Sequence, residues 1–353
     1  DLVRSRGLGD VYKRQVIDPI EVMDEFGADA LRFTLLTGST PGSDMNLSID
    51  RVRANRNFAN KIWNATRFTV ANLGKLAETG DRLSVIGNQS PETSDRRSPI
   101  TDHHSLADRW IESRLNQTIQ EATRLFEAYQ FGEAGRQAYE FLWNDFADWY
   151  IEIAKTQVAA GGAQAVHTAG ILVKVLDQTL RLLHPFIPFV TEDIWQNLKR
   201  ATLAVGSVTP AVGAGLALAQ DWPEALIIAS WPKAGETDTG AEADFERVQE
   251  IVRAIRNARS EYNVPPGRRI GAVINAGEHL PLIEREQTII ASLASLDLVH
   301  VNLGRTLEIP AQSVQLVAGG VTVALPLADL VDLDAEIVRL RKELANAEKM
   351  VSS

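Results

Sequence analysis

Three long helical patterns follow one another between Leu106 and Leu183 with little chain between them, and this limits the available folds more than any other feature. Apolar residues recur at spacings of three and four over 106–129, 132–159 and 164–183. Gly161-Gly162 stops the second run and Pro185 sets the end of the third. Helices joined by short links lie antiparallel, since a few residues cannot carry the chain back along a helix. A fourth run, 50–77, has the same periodicity, with Ser48 or Asp50 placed to cap it. The expectation is a mainly α protein built on an up-down bundle.

On the N-terminal side, Val16 onward reads as a strand, a turn at Asp18-Pro19 and one amphipathic helix over 20–37. "TGSTPGSD" (37–44) stops that helix, and "MNLS" (45–48) reads as a short strand. Residues 78–104 are polar and aperiodic, an exposed connection. After "HPFIPF", Thr191 is expected to cap a short helix to about residue 200. Residues 201–225 are small and Gly-punctuated, a variable insertion rather than a packed element. "LIIASWP" reads as a strand. From Ala241 the character becomes α+β: a helix at 241–262, a "VPPG" turn, a strand at 269–275, a helix at 280–294, and strands near 298–303, 313–318 and 321–325. "AGG" (318–320) is a hairpin signal. Leu330, Leu333, Ile337, Leu340, Leu344, Ala347 and Val351 then form a heptad seam, the start of a coiled coil that stops in mid-pattern at "MVSS".

Composition narrows the chemistry. The absence of cysteine excludes disulfides, thiolate metal sites and a cysteine nucleophile, and fits a cytoplasmic location; the six histidines form no metal-ligating spacing. No segment has the apolar length of a membrane span and no leader opens the chain. A formal charge of -10 argues against a protein that coats nucleic acid generally, so any such contact must be a local patch.

The run 50–77 supplies one. On a helical wheel Val52, Phe58, Ala59, Ile62, Ala65, Thr66, Thr69, Val70, Leu73 and Leu76 fall on one half. Arg53, Arg56, Asn57, Asn60, Asn64 and Arg67 cluster opposite, on a face read as holding no acid. Exposed helical faces usually mix signs so that i,i+4 pairs form. Guanidinium forks separated by amides suit an RNA backbone instead, the arginines binding phosphate bidentately and the asparagines reaching sugar hydroxyls or base edges. The alternative is a solvated face whose arginines pair with acids elsewhere in the bundle.

Other groups read as structural. Trp143, Phe146, Trp149 and Tyr150 stand at helical spacing and belong to a bundle core; Asp145 and Asp148 between them read as solvated charges on an outer turn. His103-His104 lies in the polar linker and His184 at a helix end. Lys13 and Arg14 in "GDVYKRQ" have no P-loop frame, and no catalytic or metal-binding residues are assigned.

"VIDPIEVMDEFGADALRFTLLTGSTPGSDMNLS" (16–48) resembles the segment just after the second signature motif of class I aminoacyl-tRNA synthetases, in the valyl-tRNA synthetase branch. The resemblance continues in "NRNFANKIWNATRF" (55–68), "WNDFADWYIEIAK" (143–155), "LRLLHPFIPFVTEDIW" (180–195), "IIASWP" (227–232) and "VQEIVRAIRNARSEYNVPPGRRI" (248–270), in the family's order. Leucyl and isoleucyl enzymes share the GAD-x-LR and HPF-x-PF themes. The resemblance implies a ligase that activates valine with ATP and Mg2+, transfers it to tRNA(Val) and edits mischarged threonine in a separate domain, because an apolar pocket rejects an isosteric hydroxyl poorly. The HIGH-type and KMSKS-type motifs of that chemistry are not in this sequence. Where the second motif would stand, the chain reads "GDVYKRQ", so residues 1–15 are expected to be extraneous.

The resemblance implies this division: 16–47 as the end of the catalytic domain and stem-contact region, 48–235 as a helical anticodon-binding domain with the insertion 201–225, 236–329 as a small α+β domain, and 330–353 as the start of a coiled-coil tRNA-binding arm. The expected partner is tRNA(Val), bound by a monomer through Arg53, Arg56, Asn60, Asn64 and Arg67, and through Arg341 and Lys342 in the arm. This portion alone is expected to bind tRNA without aminoacylating it. The alternatives are an isoleucyl- or leucyl-type portion, a non-catalytic RNA-binding module, or a helical scaffold that oligomerises through the heptads.

Overall fold

Asp18 opens the first helix with its own side chain: Oδ1 accepts the Ile20 N–H at 2.8 Å, and Pro19 supplies a first-turn φ with no N–H to satisfy. The computed structural model describes residues 17–38, 47–86, 104–208 and 222–330. Residues 1–16, the linker from 87, the heart of the expected insertion (209–221) and the heptad segment from 331, with Arg341 and Lys342, lie outside the described residues. Contacts divide the chain into two units, Asp1–Asp238 and Thr239–Ser353.

The first unit is helical: α1 (Pro19–Phe26), α2 (Ala28–Gly38), α3 (Ile49–Ile86), α4 (Leu106–Glu127), α5 (Phe131–Glu140), a π-helical stretch (Phe141–Tyr150), α6 (Ile151–Ala160), α7 (Gly162–Leu183) and α8 (Pro188–Val208). The single helix expected over 20–37 is two, because Gly27 adopts φ +90°, a conformation open to glycine that turns the chain. Leu47 and Ser48 are not in a strand; they lead directly into α3, which runs past the expected 77. Val22, Phe26, Ala30, Leu31 and Val52 form the core shared by α1, α2 and the start of α3. Rings carry that core into the bundle: Phe33 lies 5.6 Å from Phe58, Phe58 4.3 Å from Tyr139, and Tyr139 5.7 Å from Trp143.

The run expected as one helix over 132–159 changes its hydrogen bonding in the middle. Over Phe141–Tyr150 the ladder is i→i+5, ending with Ile151 N–H on Phe146 O. Such segments are rare because their geometry is poorer. Here four rings of one ten-residue stretch, Phe141, Phe146, Trp149 and Tyr150, are buried by it. The Tyr150 hydroxyl donates at 2.7 Å to Asp108, a fully buried carboxylate that also completes the capping box of α4 with Ser105.

α8 begins at Pro188, runs to Val208, and is not capped by Thr191, whose hydroxyl donates back to Ile187 O at 2.8 Å. Its cap comes from another helix. Asp29 accepts the N–H of Val190 at 2.7 Å and of Phe189 at 3.4 Å, while Arg32 donates to the carbonyls of Phe186 and Pro185. "GADALR" thus clasps "HPFIPFV". Burial, against the pull of the two N–H groups, holds the Asp29 carboxyl above its ordinary range.

Two readings of the chain after α8 are corrected. Residues 201–208 belong to the helix, and 222–225 are packed: the rings of Trp222 and Trp195 lie 4.9 Å apart, and Lys199 donates to Pro223 O at 2.6 Å. "LIIASWP" forms no strand; Leu226–Ile228 is a 3-10 turn, tied by Glu192 accepting the Leu226 N–H. A sheet strand needs a ladder partner along its length, and this segment has helix side chains beside it instead. Trp231 donates to Thr123, Asn116 holds both Gly235 N–H and Glu236 O, and Ser113 accepts the Asp238 N–H.

The second unit comprises α9 (Thr239–Glu261), β1 (Ile270–Asn275), α10 (Leu280–Ala294), β2 (Leu296–Gly304), β3 (Ser313–Ala318), β4 (Val321–Pro326) and α11 (Leu327–Leu330). The sheet order is β2-β1-β4-β3, with β1 parallel to β2 and antiparallel to β4. Gly319 and Gly320, both at positive φ, form the two-residue turn that pairs Ala318 with Val321.

Candidate nucleic-acid interface

α3 has the two faces its periodicity predicts. Val52, Phe58, Ile62, Ala65, Thr66, Thr69 and Leu73 are buried, and Arg53, Arg56, Asn57, Asn60, Asn64 and Arg67 are exposed. The expectation that this face holds no acid is corrected at its first turn, where Arg53 pairs with Asp50 at 2.7 Å. Both side chains are solvated, so this pair is weak and open to exchange for another anion. Phe26 orients the arginines: the guanidinium carbons of Arg53 and Arg56 lie 5.8 and 5.7 Å from its ring centre.

Arg67 stands three turns further on, about 16 Å along the axis at about 1.5 Å per residue. With Trp63, Thr66 and Val70 of α3 it faces Asp193, Asn197 and Arg200 of α8 across a cavity of about 500 Å³. That size lies within the range of ligand pockets, about 300–1,000 Å³. Trp63 is 37% exposed, a large ring left in contact with water. Arg200 is held by Asn197 Oδ1 at 2.7 Å, and Asn197 in turn donates to Asp193 O at 2.8 Å. The cavity therefore offers an aromatic face, two guanidinium groups, an amide and the Asp193 carboxylate. Trp63 and the three α8 residues escape sequence reasoning because a helical wheel describes one helix and the cavity needs two.

The remaining candidates are placed as follows. Asp145 and Asp148 are not simply solvated: Asp145 pairs with Arg114 at 3.0 Å and Asp148 with Lys61 at 2.6 Å, whose ammonium also sits 3.7 Å from the Trp143 ring centre. His184 closes α7, half-buried, with Nδ1 2.8 Å from Thr191 Oγ1. Its Nε2 is buried without a hydrogen-bond partner, and burial pushes its pKa down, partly offset by Glu192 and Asp29. His104 stacks edge-on against His167 at 4.2 Å, while His103 lies outside the described residues.

Residues 108–274 match the family model described as the anticodon-binding domain of tRNA ligase. The matched span contains Asp193, Asn197 and Arg200 but not the α3 residues of the same cavity. Curated relatives include the valine–tRNA ligase of Bacillus subtilis, 38% identical over 340 residues, which is 95% of this chain and 34% of the relative. That of Halalkalibacterium halodurans is 40% identical over 92% of this chain and 33% of its own length. That of Listeria monocytogenes is 38% identical over 95% and 34%. The chain spans about a third of the length of the curated relatives it matches. At 38–40% identity over more than nine-tenths of its residues, and with the anticodon-binding-domain match in its middle, the chain is similar to about a third of a valine–tRNA ligase.

Proposed function

We propose that this chain is the tRNA-binding portion of a valine–tRNA ligase and that its first unit receives the anticodon arm of tRNA(Val). One observation carries the reading: the exposed Arg/Asn face of α3 runs along the helix into a cavity that pairs Trp63 with Arg67 and Arg200. Arg53 and Arg56 bind successive phosphates as bidentate forks, with Asn60 and Asn64 donating to sugar and phosphate oxygens between them. An unstacked base enters the cavity and lies on Trp63, its edge within reach of the Asn197 amide and the Asp193 carboxylate.

In the whole protein, ATP and Mg2+ activate valine, the acyl group passes to tRNA(Val), and mischarged threonine is removed elsewhere. Those steps need the HIGH-type and KMSKS-type residues, which this sequence does not contain, so the chain alone binds without charging. Among the described residues no three histidines or acids are grouped to hold a metal ion, and no helix is long and apolar enough to cross a membrane. A cytoplasmic monomer, with the heptad segment as a further tRNA-binding arm, completes the reading.

Gel-shift titration with a tRNA(Val) transcript, and with the same transcript carrying exchanged anticodon bases, tests it. The native anticodon should bind more tightly. Equal affinity for the two transcripts would remove the anticodon assignment, and no binding to either would remove the tRNA reading altogether.

A further inference from the structure

A six-residue string recurs in this chain with one change. Val52-Arg53-Ala54-Asn55-Arg56-Asn57 on α3 and Val252-Arg253-Ala254-Ile255-Arg256-Asn257 on α9 agree at five of six positions. The structure treats the two copies alike. Val52 and Val252 are both fully buried, so the string sits in the same rotational phase on each helix. Both arginines and the asparagine are exposed in each copy, and the stripe continues one turn later to exposed Asn60 or Ser260.

The surroundings of the second copy are basic too, though less so than those of the first, where residues 51–75 hold six basic residues and no acid. Residues 251–275 hold five arginines and one acid in a chain whose net charge is -10. Three of these arginines converge on the backbone where α10 ends: Arg256 donates to Leu293 O at 2.9 Å, Arg259 to Ser295 O at 3.3 Å, and Arg269 to Leu296 O at 3.5 Å. A carbonyl fixes the direction of a guanidinium without cancelling its charge, so the cluster keeps a positive potential. Buried Arg259 registers it, its pKa pushed down by burial and by the charge of Arg268.

We propose that the α9 face carrying Arg253, Arg256 and Asn257, together with Arg269 beyond the "VPPG" turn, is a second contact for the RNA phosphate backbone. It uses the same chemistry as α3 but lies in the other unit. The inference rests on the tRNA reading above. The converging arginines also serve α10, whose C-terminal carbonyls they satisfy. Arg253, which donates to Gln249 Oε1 at 3.4 Å, is the residue on which the two roles are tested, with the Lys variant and melting curves as controls.

The test is binding of a tRNA(Val) transcript by the 353-residue chain across a salt series, comparing wild type, Arg253→Gln, Arg253→Lys, Arg253→Gln/Arg269→Gln and, on α3, Arg56→Gln. Each phosphate contact contributes about 0.9 to the slope of log K against log salt, somewhat less where the RNA is single-stranded. Arg253→Gln should flatten the slope by about that amount and the double variant by about twice it, with Arg253→Lys restoring wild-type behaviour. Melting curves of Arg253→Gln and Arg253→Lys should superimpose on wild type. Slopes and affinities unchanged in both Gln variants, while Arg56→Gln weakens binding, would overturn this contact and leave the α3 reading standing. A wild-type chain that binds no tRNA would overturn both.

Discussion

Asp29 caps a helix to which it does not belong, its Oδ2 lying 2.7 Å from Val190 N at the start of α8. An N-cap usually comes from the residue just before the helix, and here Pro188 begins α8 with "HPFI" in front of it, none of which supplies a carboxylate. The cap is borrowed across the bundle, which ties α2 to α8 at one point. Asp29→Ala should therefore cost about 1 kcal/mol, within the ~0.5–2 range for lost caps. Chemical denaturation with a helix-sensitive probe measures it; an unchanged midpoint would mean that water replaces the carboxylate without loss.

The phenol of Tyr150 is the hydroxyl donor to a carboxylate with no exposure to water. Burial and the charge of Asp108 keep its pKa well above the ordinary value, so it remains a donor at every accessible pH. Tyr150→Phe leaves the ring in place and removes only the donor. The expected loss is about 1–3 kcal/mol, the cost of an under-satisfied buried acceptor. Asp108→Ala should cost more, since Ser105 and Tyr150 both lose their partner. A Tyr150→Phe protein as stable as wild type would show that the Ser105 N–H and the Gln164 amide, which donate to Asp108 Oδ2 at 3.0 and 3.3 Å, satisfy the carboxylate by themselves.

His184 makes stability depend on pH. Its folded-state pKa is lowered, so the unfolded chain takes up the proton first and folding is favoured above the unfolded value, about 6.5. That contribution is lost as pH falls through the lower folded value. His184→Asn can keep the bond to Thr191 and cannot be protonated. Between about pH 7.5 and about pH 5, wild type should lose more stability than the variant. Asp29, whose raised pKa acts in the opposite sense, is present in both proteins and largely drops out of the difference. Parallel stability curves would show that His184 titrates alike in the folded and unfolded chain.

Arg56→Ala and Trp63→Ala separate positioning from recognition. In the whole ligase, Arg56→Ala should raise the KM for tRNA and leave valine-dependent pyrophosphate exchange intact. Trp63→Ala should weaken tRNA binding by about 1–3 kcal/mol, the range for one stacked base, and reduce discrimination between anticodons. Loss of pyrophosphate exchange in either variant would instead assign it a structural role reaching the catalytic site.

Periodicity revealed the long helices and the two faces of α3, because burial of one face against a bundle leaves its mark at every third or fourth residue. It could not separate Phe141–Tyr150 from an α-helix: an apolar run rich in rings looks the same whether its ladder closes at four residues or five. Gly27 lies inside a run whose periodicity reads as one helix, and only its φ distinguishes a break from a helical glycine. "LIIASWP" failed for the opposite reason: a short apolar run has the composition of a buried strand, and nothing local says whether a ladder partner exists. The cavity of Trp63 was invisible because half of it comes from residues more than a hundred positions away.

The segment from Trp231 to Asp238 sits against Thr123, Asn116, Ser113 and Arg109 in descending order along α4. A helix offers its side chains at fixed intervals, so it acts on this apparent linker as a ruler. Deleting or inserting one residue there would pull Trp231 and Asp238 out of step with their anchors at once, whereas a change of side chain disturbs a single mark. Across related proteins, length should be held far more strictly than identity in this stretch.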